Sequence, residues 1–325
     1  MKSATRKHLR ANLLMLLAAL IWGSAFVAQR LSLDAIGPFL FTGMRFLLGA
    51  AVVSALLVCL RRTRSRIATG EAAVTGGSAT SAMPAADGTS HSLVVSGALL
   101  GLLLAAAISM QQIGLQYTKI ANAGFISSLY VVIVPLLGVL VRHQTATGTW
   151  LGALLAALGM YFLSVNEHFV ILYGDWYQLA GALVISAQVM LVSRFARRHD
   201  PLLLALVQFV TCGAVCLVIG LVCEPVRLAD IVRAAPTILY GGALSVGVAY
   251  TIQVVAQKDA APAHAAVIFS MEGVFAALAG WLVLGETLSA RAFVGCGLML
   301  AGLIVCQVMP AWESRRQSAS SIGLR

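Results

Sequence analysis

The sequence predicts an all-α integral membrane protein: ten transmembrane helices arranged as two inverted five-helix repeats. Three observations predict it: the composition, ten long apolar stretches, and an echo between the first five and the last five. Of 325 residues, 60% are hydrophobic and 10% charged, with a mean hydropathy of +0.91, which is more apolar surface than a water-soluble core can hide. The stretches fall at about 11–29, 37–60, 93–116, 120–141, 149–165, 176–193, 201–222, 236–256, 262–284 and 290–308. Most approach the ~20 residues that a helix needs to cross ~30 Å of hydrocarbon. They are continuously apolar instead of alternating, so helices are expected and a transmembrane barrel is not.

The first stretch follows a basic start, as in a signal peptide. No small-residue cleavage site follows Trp22-Gly23-Ser24-Ala25-Phe26, and the stretch has a counterpart in the second set, so it reads as a membrane span. Proline opens the second stretch of each set: Pro38-Phe39-Leu40 with Arg45-Phe46 and Ala51-Val52 answers Pro201-Leu202-Leu203 with Gln208-Phe209 and Ala214-Val215, without a gap. After the second stretch comes Arg61-Arg62-Thr63-Arg64-Ser65-Arg66 and then a Gly-, Ser- and Thr-containing segment without apolar period. Residues 61–92 are therefore expected to be a flexible cytoplasmic insertion. In the third stretches Gln112 and Gln116 stand opposite Gln253 and Gln257. In the fifth stretches Trp150-Leu151-Gly152 and Gly159 answer Phe293-Val294-Gly295 and Gly302, small residues suited to close helix packing. The expected division is 1–165 for the first repeat and 166–325 for the second, with its C-terminal tail.

The formal charge of +10 follows sidedness and does not indicate nucleic acid. With the N-terminus inside, sixteen basic residues fall on the cytoplasmic side, among them Arg61, Arg62, Arg142, Arg194, Arg197, Arg198 and Lys258. Five fall outside: Arg30, Lys119, Arg227, Arg233 and Arg291. This positive-inside bias puts both termini in the cytoplasm of a multi-pass protein of a bacterial-type inner membrane. Five spans per repeat is an odd number, so the second copy enters from the opposite side. Inverted repeats are the architectural basis of alternating access, which favours a secondary transporter over a receptor or a channel.

Ile21-Trp22-Gly23-Ser24-Ala25-Phe26, Ala123-Gly124-Phe125-Ile126 leading through Tyr130 to Val134-Pro135-Leu136, and Met271-Glu272-Gly273-Val274-Phe275-Ala276-Ala277 followed by Leu284-Gly285-Glu286-Thr287-Leu288 resemble motifs of the drug/metabolite transporter superfamily, specifically its EamA-type ten-helix permeases. The resemblance covers nearly all of 11–309 except the insertion. It implies two inverted bundles around a central cavity and movement of small metabolites or drugs, often outward. This chain has Gly273 where the family often has proline, so a softer helix break is expected there. His143 stands at the position matching Glu286, which at the outer end of span nine reads as a capping or loop-ordering group.

Ionisable groups inside spans are the sharpest functional signals, since each costs roughly 2.5–3.5 kcal/mol at a helix centre on insertion scales. Arg45 and Glu272 qualify. Arg45 lies seven residues past Pro38, ~10 Å deep at ~1.5 Å per residue, and Glu272 lies ten residues past Pro262, ~15 Å from the opposite surface. Their depths allow them to meet. Two readings stand: Glu272 binds a cationic group or a coupling proton with Arg45 as counter-charge or carboxylate clamp, or the two form a structural ion pair. Trp22, Ser24, Gln112, Gln116, Tyr117, Ser127, Tyr130, Gln188 and Gln253 form a second tier. Gln112 and Gln116 share a helix face, as do Gln253 and Gln257, and such amide faces suit a wet cavity or interhelical hydrogen bonds.

No phosphate-cradling GxxxxGK loop, metal-spaced histidine cluster or GxSxG nucleophile occurs, so no cofactor, metal or ATP-driven step is expected. The six cysteines include no CxxC pair. The expected partners are a small-molecule substrate, the lipid bilayer, a coupling proton and a second copy of the chain as homodimer. The competing classes are a membrane-embedded enzyme, for which no convergent nucleophile and base are found, and a channel.

Overall fold

The computed structural model describes residues 2–75, 87–118, 120–142, 145–164, 172–285 and 289–322, and these are helical apart from short connections. The helices are α1 Lys2–Ser32, α2 Pro38–Thr75, α3 Asp87–Tyr117, α4 Ile120–Ser127, α5 Tyr130–Leu140, α6 Thr147–Ser164, α7 Tyr173–Phe195, α8 Pro201–Cys223, α9 Leu228–Leu239, α10 Thr251–Gln257, α11 Pro262–Phe269, α12 Glu272–Leu284 and α13 Ala290–Ile322. A π-helical segment, Tyr240–Tyr250, joins α9 to α10. Nine stretches among the described residues are long and apolar enough to cross a membrane, and Thr147–Leu163 is a shorter apolar helix that completes the ten. It is a ten-helix membrane fold.

Three boundaries depart from the expectation. Helix α2 does not end at residue 60 but runs to Thr75, and α3 begins at Asp87, so much of the expected 61–92 loop is helical. Arg, Ala and Glu are strong helix formers and extend an existing helix without a new nucleation step, which a search for apolar period overlooks. Likewise α9 begins at Leu228, inside the expected 223–235 connection. Residues 76–86, His143 and Glu286 lie outside the described residues.

The fourth and ninth spans are each broken, and in the same way. Leu129 N–H donates to Ile126 O and Val131 N–H to Ser128 O, while Met271 N–H donates to Ile268 O and Gly273 N–H to Ser270 O. Each break is thus a tight three-residue-spaced turn between two helical halves. In the ninth span it precedes Gly273, so no proline is needed to make it. Tyr130 and Glu272 are the first residues of the two second halves.

Small residues set the helix spacings. A Cβ added to Gly302 would stand 2.6 Å from Gly152 O, and one added to Gly159 would stand 2.6 Å from Gly295 O. Helices α6 and α13 therefore run antiparallel at backbone contact, as small residues permit in lipid. At the junction of the two halves, Glu224 after α8 accepts from the Phe39 and Leu40 amides, both at 2.8 Å, and so caps α2.

Candidate functional site

Helices α1, α2, α3, α7, both broken spans and the π-helical segment surround a central cavity of about 650 Å³, counting its mouth. Six of the residues singled out from sequence line it: Trp22, Arg45, Ser127, Tyr130, Gln253 and Glu272. Its lining reaches Gln29, three residues from the end of α1, or ~4.5 Å, and at the other end Gln253, four residues from the end of α10, or ~6 Å. Toward that second end, Ala11, Met15, Ala18 and Ala19 belong to one packed cluster with Val134, Ala265 and Ala266.

Each charged residue is delivered by a local feature of the chain. Glu272 starts α12 at the break, and Tyr130 Oη donates to its Oε1 at 3.0 Å. Helix α1 approaches closely because residue 23 is glycine: a Cβ there would lie 2.7 Å from Glu272 O and 2.8 Å from Ala276 N. The Glu272 side chain is 6% exposed and Arg45 1%. The Arg45 guanidinium lies over two rings of its own helix, 5.1 Å from the Phe41 centroid and 5.4 Å from that of Phe46. Its Nε meets no hydrogen-bond partner among the described residues.

Arg45 and Glu272 share a cavity but not an ion pair. Neither has an opposite charge within 4.0 Å among the described residues, whereas Arg233 and Asp230 pair at the surface. The structural ion pair that the sequence left open is therefore absent. Equal depth did not bring the groups together, because Glu272 is taken by Tyr130 on its own side of the cavity and Arg45 is held against phenylalanine faces on α2.

Trp22 forms the aromatic wall. Its indole N–H reaches Ser245 O at 3.3 Å, and its ring sits 4.6 Å from Tyr250 and 5.2 Å from Phe269, centroid to centroid. Across the cavity runs an amide relay: Gln111 Nε2 donates to Ser127 Oγ at 3.1 Å, Ser127 Oγ to Gln178 Oε1 at 3.0 Å, and Gln178 Nε2 to Gln111 O at 2.8 Å.

Five sequence candidates lie elsewhere, among them Tyr117, which is exposed. Ser24 bonds Tyr240 Oη at 2.6 Å, a joint between α1 and the π-helical segment. Gln112 is buried and donates to Gln29 O at 3.1 Å. Gln188 is buried and donates to Gln208 Oε1 at 3.5 Å. Gln116 is exposed. The expected pair of amide faces is not formed: Gln257 donates to Val189 O, which leaves Gln253 alone of the four on the cavity. Sequence reasoning missed Gln29, Gln111, Gln178, Ser245 and Tyr250. Gln29 was findable, since it lies two turns from Trp22 on the same face of α1. Gln111 differs from the chosen Gln112 by ~100° of helix rotation, which no single sequence resolves.

His264, Cys306 and Asn12 form a hydrogen-bonded set outside the cavity lining, His264 Nδ1 to Cys306 Sγ at 3.2 Å and Nε2 to Asn12 Oδ1 at 3.1 Å. Cys306 is fully buried, so the set ties α1, α11 and α13 together instead of offering a nucleophile. No group of three or more metal-ligating side chains occurs among the described residues.

Comparison with known proteins fits this geometry. The profile of the EamA-like transporter family matches residues 9–165 and again 172–306. A protein of Archaeoglobus fulgidus named an uncharacterized transporter is 30% identical over 306 residues, 92% of this chain and 86% of that protein. A crystal structure superposes with a TM-score of 0.70 at 20% identity, covering 92% of this chain and 97% of the other, a likeness of fold.

Proposed function

The chain belongs to the EamA-like transporter family and is a membrane transporter, and on that premise we propose that it is a secondary permease exporting small organic metabolites or drugs by alternating access. The observation that carries the proposal is the central cavity, in which one buried carboxyl and one buried guanidinium face the same space without pairing. Intramembrane charges are costly and mark substrate or ion pathways. Both lie beside structure suited to rearrangement: Glu272 at a helix break, and Arg45 on α2, which packs on the π-helical segment. Broken helices at mid-membrane are where transporters of several folds bind cargo.

In this reading Glu272 receives a cationic group or a coupling proton, Arg45 clamps an anionic group, and Trp22, Tyr130 and Gln253 shape the space between. Sidedness follows from the basic residues, with both termini in the cytoplasm of an inner membrane. An energy source in the chain itself is not required, since an ion gradient drives exchange.

Metabolite profiles of cells against medium, with and without expression, identify the solute. Its flux in sealed vesicles is then measured with and without a pH gradient. Solute movement that depends on the protein and saturates supports the permease. Turnover of the solute into a new compound would favour a membrane-embedded enzyme, and unsaturable ion current a channel.

A further inference from the structure

The helix ends of the two halves repeat at fixed offsets. Helices α1 and α7 finish at Ser32 and Phe195, and α2 and α8 begin at Pro38 and Pro201, each pair 163 positions apart. The broken spans begin at Ile120 and Pro262, 142 positions apart, and their breaks repeat at that same offset. These offsets pair Trp22 with Ile185 and Tyr130 with Glu272, and both members of each pair lie on the cavity wall. Five wall residues of α1, α2 and α7 break the rule. Gln178, Gly181 and Ala182 correspond to Met15, Ala18 and Ala19, while Gln29 and Arg45 correspond to Val192 and Gln208. All five counterparts are fully buried in helix packing.

The exceptions lie toward the end of the bundle where α1 finishes and α2 and α7 begin. There Arg30 Nη1 donates to Leu115 O at 2.6 Å, and Thr118 bonds Asp175. Their counterparts lie toward the opposite end. Met15, Ala18 and Ala19 pack there in one cluster with Ala265 and Ala266 of α11, and beside it His264 Nε2 bonds Asn12 Oδ1 at 3.1 Å. Small side chains let a helix seam close without interlocking, so it can also part without pulling large groups from pockets. Gln208 Nε2 has no hydrogen-bond partner among the described residues, a cost that a wetted wall would remove.

Halves related by inversion exchange conformations when the open side changes. We propose that the α1–α11 seam, packed through alanines and tied by Asn12 and His264, is a closed gate. When it parts, Met15, Ala18, Ala19 and Gln208 take the places on the wall that Gln178, Gly181, Ala182 and Arg45 hold now. This rests on the transport reading above and names its moving part.

The test places single cysteines in the full chain and applies a charged, membrane-impermeant thiosulfonate to either face, in spheroplasts and in inside-out vesicles. Positions 19 and 182 are equivalent and both are alanine, so Ala19→Cys and Ala182→Cys are matched, mild probes. Peptide masses separate them from the chain's own six cysteines. Ala182→Cys should react from one face, the outer one by the sidedness above, and Ala19→Cys from the opposite face alone. A minor second state sets the Ala19→Cys rate at roughly 0.1–10% of the Ala182→Cys rate. Adding Asn12→Ala should raise it about fivefold, since one hydrogen bond is lost from the closed seam only. Gln208→Cys, on another helix, should react from the same face as Ala19→Cys and decides the matter where the α1 variant does not fold. No reaction at 19 or 208, or reaction from the face that reaches 182, overturns the proposal. Saturable solute flux with 19 and 208 unreactive would reject the gate and leave the transport reading standing, whereas reaction from opposite faces without flux would do the reverse.

Discussion

Tyr130 and Glu272 occupy the same place in two helix breaks and hydrogen-bond to each other across the bundle, Oη to Oε1 at 3.0 Å. The backbone bonds that define the breaks run 126 to 129 and 128 to 131 in one, 268 to 271 and 270 to 273 in the other. An ungapped alignment of the fifth stretches sets Glu272 opposite Leu129. The breaks set it opposite Tyr130, one residue later. One carboxyl and one phenol thus stand at equivalent points of the two halves, where rearrangement of either broken span changes their contact.

Removing that bond has a defined expectation. Tyr130→Phe keeps the ring and deletes the donor, so melting temperature should fall by the equivalent of about 1 kcal/mol, and solute flux should drop while protein yield holds. Unchanged flux with unchanged stability would show that the hydroxyl does nothing for Glu272.

The cap on α2 is a separate test of the fold. Glu224→Ala leaves the Phe39 and Leu40 amides without their carboxylate, and a loss of about 1 kcal/mol is expected, with Glu224→Gln intermediate. Thermal unfolding in detergent reads both. No change in either variant would mean that water or another group replaces the cap.

Close packing of α6 on α13 predicts that Gly302→Leu is damaging. The new side chain would meet the Gly152 carbonyl, and relief requires the helices to part, at roughly 1–3 kcal/mol for overpacking. Monodispersity after detergent extraction should decline. A variant as stable as the parent would contradict the backbone contact.

Sidedness is read with reporter fusions. A periplasm-dependent reporter should be silent at position 80 and active at position 170. The opposite result removes the cytoplasmic termini and the inverted arrangement of the two halves.

Much of this fold was legible because lipid imposes a coarse rule: helices must be long and apolar, and the ten stretches announce themselves. The departures have physical causes. The extension of α2 to Thr75 uses residues with helix propensity but no apolar signal. The site was half legible. Arg45 and Glu272 stood out because charge in a span is rare, and Trp22, Tyr130 and Gln253 followed from polarity or bulk in the spans. Gln112 and Gln188 carry the same polarity but turn toward neighbouring helices, where Gln29, Ser32 and Gln208 meet them. Which face of a buried helix meets the cavity depends on its rotation, and continuously apolar spans give no moment from which to read it. Equal depth likewise said nothing of lateral separation, which is why it left open an ion pair that the structure does not form.

The most direct test is solute flux in sealed vesicles, together with thermal stability, for Glu272→Gln, Arg45→Gln and the double variant. Because the two groups are not paired, neither single change strands the other. Each variant should fold with near-parental stability, and gradient-driven flux should be abolished in Glu272→Gln, impaired in Arg45→Gln and absent from the double variant. A double variant that regains both stability and flux after the single changes have lost them would show a structural pair, and would contradict the claim that these two charges carry the cargo.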